Sequence, residues 1–316
     1  MAKILISTSS FGKYNKDLLD RCRVDNEIVL NPFGRKLSPE ELVELGSDAD
    51  GIIAGTEKID KVSMERMTKL RVISRCGAGL DSIDIVAAEK LSIKIYNTPD
   101  APTRAVAELT LGLILDLLRK ISLSDRNLRS GKWNKITGNL LKGKKIGIIG
   151  YGRIGKELSI LLQPFQTDIS FFDINQISSE FASPMPMNEL LGWADIITLH
   201  CSIIHGKECI IGEKELALMK KSSFLVNASR GELVDESALY DSLRNGKISG
   251  AAIDVFSTEP YDGKLIEVDN IILTPHIGSY ALESRIEMEI QSVRNLFIGL
   301  GLKDDFLFQG NFLKKE

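Results

Sequence analysis

The sequence lacks the features that mark membrane, nucleic-acid-binding and disulfide-stabilised proteins. Its longest apolar run, around Leu109–Leu118, contains Asp116 and is too short to span a bilayer. The formal net charge is only -3, which gives no electrostatic argument for a nucleic-acid partner. The four cysteines form no CxxC pair and no obvious disulfide framework. We therefore expect a cytoplasmic protein that binds neither membranes nor nucleic acid, and we assign no metal ligands.

Strands and helices alternate along nearly the whole chain, which is typical of parallel sheets covered by helices. A chain of 316 residues exceeds the usual size of one hydrophobic core, so two domains are expected. The first group of predicted strands is Lys3–Thr8, Glu27–Asn31, Gly51–Gly55, Arg71–Arg75 and Lys94–Asn97. The second group is Lys145–Gly150, Asp168–Asp173, Asp195–His200, Ser223–Asn227, Gly250–Val255 and Asn270–Thr274. The predicted fold class is α/β, with two doubly wound parallel-sheet domains.

The stretch Asn97–Pro102 separates these two groups of strands as a hinge would, because it contains two prolines. The next predicted helix, Thr103–Lys120, is apolar on most of its circumference and must be buried on more than one side. We interpret it as a domain and subunit interface. Helical periodicity from Ala281 to about Leu300 predicts a segment that returns to the first domain. The predicted domains are thus residues 1–99 with 281–316, and residues 100–280.

A glycine-rich loop, Gly150-Tyr151-Gly152-Arg153-Ile154-Gly155, follows the first strand of the second group and opens a helix. This is the dinucleotide-binding pattern, in which the glycines allow a tight turn, close approach to a pyrophosphate and packing of helix on strand. Six strands with intervening helices match the Rossmann fold. The alternative is a plain βα turn.

Asp173 ends the next predicted strand, 23 positions after Gly150. The dinucleotide-binding pattern expects an acidic residue at about this spacing, where it binds the ribose 2′-hydroxyl. A carboxylate at this position repels a 2′-phosphate, and the following Ile174-Asn175-Gln176 offers no cation to bind one. The sequence therefore predicts NAD rather than NADP as the cofactor.

Three short strings that each end a predicted strand supply an arginine, a carboxylate and a histidine. Arg230 can hold a substrate carboxylate with its planar fork of donors. His276 can accept the hydroxyl proton during oxidation or return it during reduction. Glu259 can orient the imidazole and favour its charged form near neutral pH. Together these groups predict hydride transfer to or from a 2-hydroxy acid. The other histidines lack such a setting: His200 ends a strand and His205 is predicted to lie in a loop.

The turn Arg75-Cys76-Gly77-Ala78-Gly79 in the first domain suggests close approach of backbone amides to a small anion. The amides of Ala78 and Gly79 are the proposed donors to a carboxylate. The segment alone fits a structural tight turn equally well.

Several strings, in order along nearly the whole chain, resemble the D-isomer-specific 2-hydroxyacid dehydrogenases, and the phosphoglycerate dehydrogenase branch is the nearest. These strings are Arg75–Asp84, Val106–Thr110, Gly150–Gly155, Asn227–Asp235, Asp254–Pro260 and Pro275–Gly278. The resemblance implies a Rossmann cofactor domain and a flavodoxin-like substrate-binding domain, with the active site in the cleft. It also implies a homodimer formed through the cofactor domain.

The resemblance assigns roles to particular residues of this sequence. The catalytic set is Arg230, Glu259 and His276. The residues implied to line the NAD site are Thr103, Gly150, Gly152, Arg153, Ile154, Gly155, Asp173, Cys201, Ala228, Asp254 and Gly278. Those implied to bind the 2-hydroxy or 2-oxo acid are Arg75, Gly77, Ala78 and Gly79, with Arg230 and His276.

Two departures from the family pattern bear on specificity. His200-Cys201-Ser202 stands where many members have His-x-Pro. The loop Ala54-Gly55-Thr56 lacks the arginine that some phosphoglycerate enzymes use to bind phosphate, which leaves Arg75 and Lys58 as the candidate cations for 3-phosphoglycerate.

Two other functions share this fold. Formate dehydrogenases typically replace the glutamate of the catalytic set, so Glu259 argues against that activity. NAD-binding corepressors are a non-catalytic alternative, and a turnover assay separates them from an enzyme.

Overall fold

The computed structural model describes residues 1–202 and 209–303, and the chain divides into two compact units. Unit 1 comprises Met1–Pro102 together with the chain from Tyr280 onward, and unit 2 comprises Thr103–Ser279. The sequence predicts domain boundaries close to these, at residues 99/100 and 280/281, and the functions assigned to the two domains stay predictions. His205 and the predicted domain's last residues, 304–316, lie outside the described residues.

Unit 1 is built on a five-stranded parallel sheet. Its strands are β1 (Lys3–Ile6), β2 (Glu27–Leu30), β3 (Gly51–Ala54), β4 (Val72–Arg75) and β5 (Lys94–Tyr96). They lie in the order β2-β1-β3-β4-β5, which is the flavodoxin-like arrangement. The helices of this unit are α1 (Lys16–Cys22), α2 (Pro39–Gly46), α3 (Lys61–Arg66), α4 (Ile85–Lys90) and α11 (Leu282–Leu300). The prediction of a parallel α/β sheet is therefore confirmed for this unit.

The helices of unit 1 begin where the sequence supplies caps, and they cover both faces of the sheet. At α2, Ser38 caps the helix, Pro39 occupies the first helical position, and Glu41 reaches back to the Ser38 amide. One apolar cluster packs α1 and α11 on the sheet, and a second packs α2, α3 and α4. Helix α11 contacts β3, β4 and β5, so this late segment belongs to the core of unit 1.

Unit 2 is built on a seven-stranded parallel sheet. Its strands are β6 (Lys145–Ile149), β7 (Asp168–Phe172), β8 (Ser183–Pro184), β9 (Ile196–Leu199), β10 (Phe224–Asn227), β11 (Gly250–Ile253) and β12 (Ile271–Leu273). They lie in the order β12-β11-β10-β9-β6-β7-β8. This is the Rossmann order with one further strand, β12, at the edge, and it places a switch point between β6 and β9.

The helices of unit 2 are α5 (Thr103–Arg119), α6 (Ile121–Arg129), α7 (Arg153–Leu162), α8 (Met187–Trp193), α9 (Glu213–Leu218) and α10 (Glu236–Arg244). Helix α5 packs on α7 and on the sheet, so its apolar circumference is largely buried. Helix α7 gives way to a 3₁₀ turn, Gln163–Phe165, because Pro164 removes a backbone donor. Within the described residues, no helix combines the length and apolarity needed to cross a membrane.

Candidate active site

The glycine loop lies at the switch point of the unit 2 sheet and has the shape that a pyrophosphate needs. Gly150 has φ +92°, and a Cβ on it would come within 2.6 Å of the His200 carbonyl carbon. A Cβ on Gly155 would overlap the Gly150 carbonyl oxygen, whereas one on Gly152 would meet no described atom within 4 Å. Gly152 is the N-cap residue of α7, so this open space lies at the start of the helix. Among the described residues, no side chain caps the amides of its first turn. Open space beside a positive helix end fits the phosphates of NAD.

Asp173 follows β7 directly and is tied to the glycine loop. Its Oδ2 accepts a hydrogen bond from the Tyr151 amide at 2.8 Å, and its Oδ1 accepts one from the Asn175 amide at 2.9 Å. The carboxylate is half-buried and its position is fixed relative to the loop. Asn175 Nδ2 also donates to Oδ1, at 3.1 Å, so about one of the four lone-pair positions of the carboxylate remains for a ribose hydroxyl.

The other predicted cofactor residues of unit 2 follow the carboxyl ends of its strands or start its helices. Arg153 and Ile154 form the first turn of α7, and Thr103 begins α5. Cys201 and Ala228 follow β9 and β10. Burial raises the pKa of the Cys201 thiol to about 11, so this side chain is neutral at physiological pH.

His200 is also neutral, for the same physical reason. The side chain is half-buried, and burial lowers its pKa to about 3. Its Nε2 lies 2.9 Å from the Thr198 hydroxyl oxygen, and its amide donates to the Ile149 carbonyl at 2.7 Å. His200 therefore supports the glycine loop and is not placed for proton transfer, in keeping with the weaker setting that the sequence gives it.

The loop after β10 holds Arg230 through a side-chain clamp. Asn227 accepts a hydrogen bond from the Ser229 amide at 3.1 Å and donates one to the Arg230 carbonyl at 2.8 Å. Gly231 has to be glycine because a Cβ would overlap the Phe256 carbonyl carbon in the neighbouring loop. The Arg230 guanidinium is half-buried, and its Nη1 donates to the Ser229 carbonyl at 2.7 Å.

Glu259 and His276 are in contact. The Glu259 carboxylate oxygens lie 2.9 and 3.0 Å from His276 Nδ1. Nδ1 therefore carries a proton when the ring is neutral, a tautomer assigned from this contact, and Nε2 remains as the nitrogen for proton exchange. The Phe256 amide donates to Glu259 Oε1 at 3.2 Å and fixes the carboxylate in turn. The side chains of His276 and Glu259 are 42% and 39% exposed, so substrate can reach them from solvent.

Asp254 fixes the backbone of the loop that carries His276, a role that the sequence does not reveal. Its buried carboxylate accepts hydrogen bonds from the Thr274 hydroxyl at 2.5 Å, the Ile277 amide at 2.9 Å and the Gly278 amide at 2.8 Å. Its carbonyl accepts from the His276 amide at 2.8 Å. Burial raises the pKa of Asp254, although these three donors oppose that shift.

This clamp explains the unusual backbone of His276. Its φ is +54°, which a residue with a side chain adopts only when its surroundings impose it. Four hydrogen bonds to Asp254 supply that constraint. Gly278 fits closely, since a Cβ would lie 3.2 Å from Asp254 Oδ2 and 3.3 Å from a Val106 methyl carbon. The only sequence signal for this arrangement is an aspartate at the end of a buried strand, beside a loop.

The predicted substrate turn lies in unit 1, after β4. Gly77 has φ +148°, and its amide donates to the buried Thr98 hydroxyl at 2.9 Å. Arg75 folds back on this turn, where its Nη1 donates to the Cys76 carbonyl. Among the described residues, no acceptor takes a hydrogen bond from the Ala78 or Gly79 amide. The turn thus presents two unused donors, as an anion site requires.

Comparisons with known proteins agree with this architecture. Residues 111–278 match the family described as "D-isomer specific 2-hydroxyacid dehydrogenase, NAD binding domain". A D-3-phosphoglycerate dehydrogenase of Methanocaldococcus jannaschii is 42% identical over 84% of this chain, but the match spans only 52% of that protein. A glyoxylate reductase of Thermofilum pendens is 38% identical over 82% of this chain and 80% of its own length. The crystal structure of TT0316 protein from Thermus thermophilus superposes with a TM-score of 0.88 at 30% identity, covering 95% of this chain and 98% of that one.

The glycine loop and the strand order of unit 2 fit NAD, and both sheets match those of a solved structure. The chain therefore belongs to the D-isomer-specific 2-hydroxyacid dehydrogenases, NAD-dependent oxidoreductases that act on a 2-hydroxy or 2-oxo acid.

Proposed function

We propose that Arg230, Glu259 and His276 carry out the reaction, and the observation that carries this proposal is the contact between Glu259 and His276 Nδ1. When bound at the glycine loop, NADH would supply the hydride for the carbonyl carbon and become NAD⁺. His276 Nε2 donates a proton to the carbonyl oxygen, so that a 2-oxo acid becomes a 2-hydroxy acid. Arg230 binds the substrate carboxylate with two parallel hydrogen bonds. Glu259 holds the ring in the required tautomer and stabilises its positive charge before the proton leaves. Oxidation runs through the same groups in reverse.

The cofactor proposal is that NAD is preferred over NADP because Asp173 lies at the ribose site. A carboxylate that is already fixed by the Tyr151 amide cannot move away from a 2′-phosphate without breaking that hydrogen bond. We expect kcat/KM with NADH to exceed that with NADPH by at least about a hundred-fold, since like charges in contact cost several kcal/mol. Asp173→Ala should narrow the ratio, and equal kcat/KM values in the unchanged protein would refute the proposal.

For the substrate, we propose a short 2-oxo acid without a phosphate group. In unit 1, Glu57 follows β3 in the loop where an arginine would bind phosphate, and its buried carboxylate accepts from the Gly55 amide at 2.8 Å and from the Ser7 hydroxyl. A fixed negative charge in this loop opposes a phosphate. The Arg75 guanidinium is engaged with its own turn. The glyoxylate reductase of T. pendens, which aligns over most of its length, supports this substrate class.

The competing substrate is 3-phosphohydroxypyruvate with its product 3-phosphoglycerate, favoured by the similarity to the M. jannaschii enzyme. An assay that follows NADH loss with glyoxylate, hydroxypyruvate and 3-phosphohydroxypyruvate separates the two. We expect kcat/KM for hydroxypyruvate to exceed that for its phosphorylated counterpart. The reverse order, together with a rise in KM for the phosphorylated acid alone in Arg75→Ala, would establish Arg75 as a phosphate ligand. Absence of turnover with any 2-oxo acid would favour a corepressor-like function.

We also propose a homodimer formed through unit 2. The segment from α6 to Leu140 exposes four large apolar side chains: Ile121, Leu128, Trp133 and Leu140. Trp133 is 80% exposed on a stretch without regular secondary structure that is anchored by the Asn139 amide on the Leu118 carbonyl at 2.8 Å. Several large apolar side chains exposed within twenty residues favour a protein interface in this segment. Light scattering should give twice the chain mass, and Trp133→Ser with Leu140→Ser should shift it toward the monomer.

A cytoplasmic location is the last part of the proposal. Cys22 and Cys76 are buried thiols in the core of unit 1, and burial raises the pKa of Cys22 to about 12. Thiols in this state fit a reducing compartment. Fractionation of cells that produce the protein would test the location.

A further inference from the structure

Tyr151, the second residue of the glycine loop, has a buried phenol that links two other parts of unit 2. Its ring is fully buried and stacks on Phe171 of β7, with ring centres 3.9 Å apart. Its hydroxyl oxygen lies 2.7 Å from the hydroxyl oxygens of both Ser159 and Ser179. Ser159 belongs to α7, whereas Ser179 belongs to the loop that follows Asp173.

The direction of these hydrogen bonds follows from counting protons. Ser159 donates its single hydroxyl proton to the Lys156 carbonyl at 2.7 Å, so it must accept the proton of Tyr151. Tyr151 then accepts from the Ser179 hydroxyl, and Ser179 accepts from the Phe181 amide at 3.1 Å. One continuous chain of hydrogen bonds therefore runs from Phe181 to Lys156. Each bond in such a chain polarises and strengthens the next.

The backbone of the same tyrosine holds the other end of this loop. The Tyr151 amide donates to Asp173 Oδ2 at 2.8 Å. Asp173 and Ser179 flank a short segment in which Ile174, Asn175 and Gln176 are exposed. Tyr151 is thus bonded to both flanks of the segment, through its amide on one side and its hydroxyl on the other.

We propose that Tyr151 is a positioning residue for the adenosine half of NAD, because its hydroxyl fixes the loop that carries Asp173. The inference rests on the proposed role of Asp173 in binding the ribose. The hydroxyl is buried inside unit 2 and takes no part in the chemistry. Its effect is to hold the adenosine loop in the bound arrangement before the cofactor arrives, which lowers the entropy lost on binding.

The test compares three substitutions that divide the hydrogen-bond chain. Tyr151→Phe keeps the stacked ring and removes both hydroxyl bonds. Ser179→Ala removes the bond between Tyr151 and the loop together with the Phe181–Ser179 bond inside the loop, and Ser159→Ala removes the bond between Tyr151 and α7 together with the Ser159–Lys156 bond inside the helix. The dissociation constant of NADH is measured by fluorescence, and hydrogen exchange of residues 174–182 is measured in protein without cofactor. Loss of one buried neutral hydrogen bond corresponds to a change of about five-fold in an equilibrium constant.

We expect Tyr151→Phe and Ser179→Ala each to raise the NADH dissociation constant about five-fold and to accelerate exchange of the 174–182 amides. The KM for NADH should rise together with the dissociation constant. In contrast, kcat and the KM for the 2-oxo acid should stay within about two-fold of the values for the unchanged protein. Ser159→Ala should lower the melting temperature, yet leave NADH binding and loop exchange within about two-fold.

Equal effects of Ser159→Ala and Ser179→Ala on NADH binding would overturn the inference, because the hydroxyl would then act only through overall stability. Unchanged loop exchange in both Tyr151→Phe and Ser179→Ala would also overturn it. Should Tyr151→Phe fail to fold, Ser179→Ala in the half-buried loop still decides. Asp173→Ala separates this from the cofactor proposal: if it leaves NADH binding unchanged, the role of Asp173 fails, whatever Tyr151 does.

Discussion

Two buried carboxylates, Asp254 in unit 2 and Glu289 in unit 1, are handled differently by the structure. Both are almost fully buried, and burial raises the pKa of each. Asp254 accepts hydrogen bonds from three donors, so its charge is used to hold the loop that carries His276. Glu289, on α11, accepts one from the Gly12 amide at 3.2 Å, and its Oε1 has no partner among the described residues. Hydrogen-bond donors thus surround the buried carboxylate that supports the candidate site, Asp254, whereas the buried carboxylate away from the site, Glu289, has a single donor.

Asp254→Asn should give the largest effect. An amide offers one acceptor oxygen in place of two, and its nitrogen would face a backbone N–H, leaving at least one buried donor without a partner. We expect a loss of about 2 kcal/mol of stability and a fall of about a hundred-fold in kcat, because displacement of His276 by about 1 Å is enough for that loss. Steady-state kinetics and thermal unfolding check both numbers, with the exposed Asp241→Asn as the matched control. A variant with normal kcat would show that the clamp is not needed.

Glu289→Gln should stabilise the folded protein above neutral pH, whereas Asp254→Asn should destabilise it. The pKa of Glu289 rises from 4.5 to about 7 on folding, chiefly through burial. The folded protein therefore binds this proton more tightly, and the stability so gained is complete below about pH 4.5 and is lost as the pH rises through about 7. Glutamine cannot ionise, so the variant should equal the unchanged protein near pH 4.5 and exceed it by about 3 kcal/mol at pH 8.

Urea unfolding at the two pH values measures this difference. The matched control is Glu283→Gln, which changes an exposed glutamate on the same helix and should show no such pH dependence. If Glu289→Gln and the unchanged protein lose stability equally between the two pH values, Glu289 remains ionised in the folded state and the contrast with Asp254 disappears.

Thr274→Val should give the smallest effect. It removes one of the three donors to Asp254 and keeps the shape of the side chain. The amides of Ile277 and Gly278 still hold the carboxylate, so we expect a loss of about 1 kcal/mol of stability and a fall of less than about ten-fold in kcat. A loss as large as that of Asp254→Asn would mean that the hydroxyl, rather than the two amides, holds the loop.

The sequence predicts the strands well because their signal is local. Each predicted strand is present, with ends that differ by a residue or two, and the glycine loop joins β6 to α7 as its pattern requires. Strand β8 is missed because it contains only Ser183 and Pro184, too few residues for any periodicity. The catalytic set stays a prediction, although each of its proposed members follows a strand of the same parallel sheet.

The supporting interactions are not readable from the sequence because they join residues far apart in the chain. Asp254 bonds to residues twenty or more positions later, and Tyr151 bonds to Ser179 across β7. The one local signal, an aspartate at the end of a buried strand, does not tell which loop its carboxylate will bind. The same holds for Arg75, which the sequence offers as a pocket cation and which the structure shows folded on its own turn.

We propose above that His276, held by Glu259 and by the Asp254 clamp, exchanges the proton during hydride transfer. The most direct measurement is the single-turnover rate of NADH oxidation by a 2-oxo acid in His276→Ala, with the NADH dissociation constant measured alongside. We expect a rate lower by about a thousand-fold, within the range for a general acid, and an NADH dissociation constant within about two-fold of normal. A rate reduced by less than ten-fold would contradict the claim and assign the proton to another group.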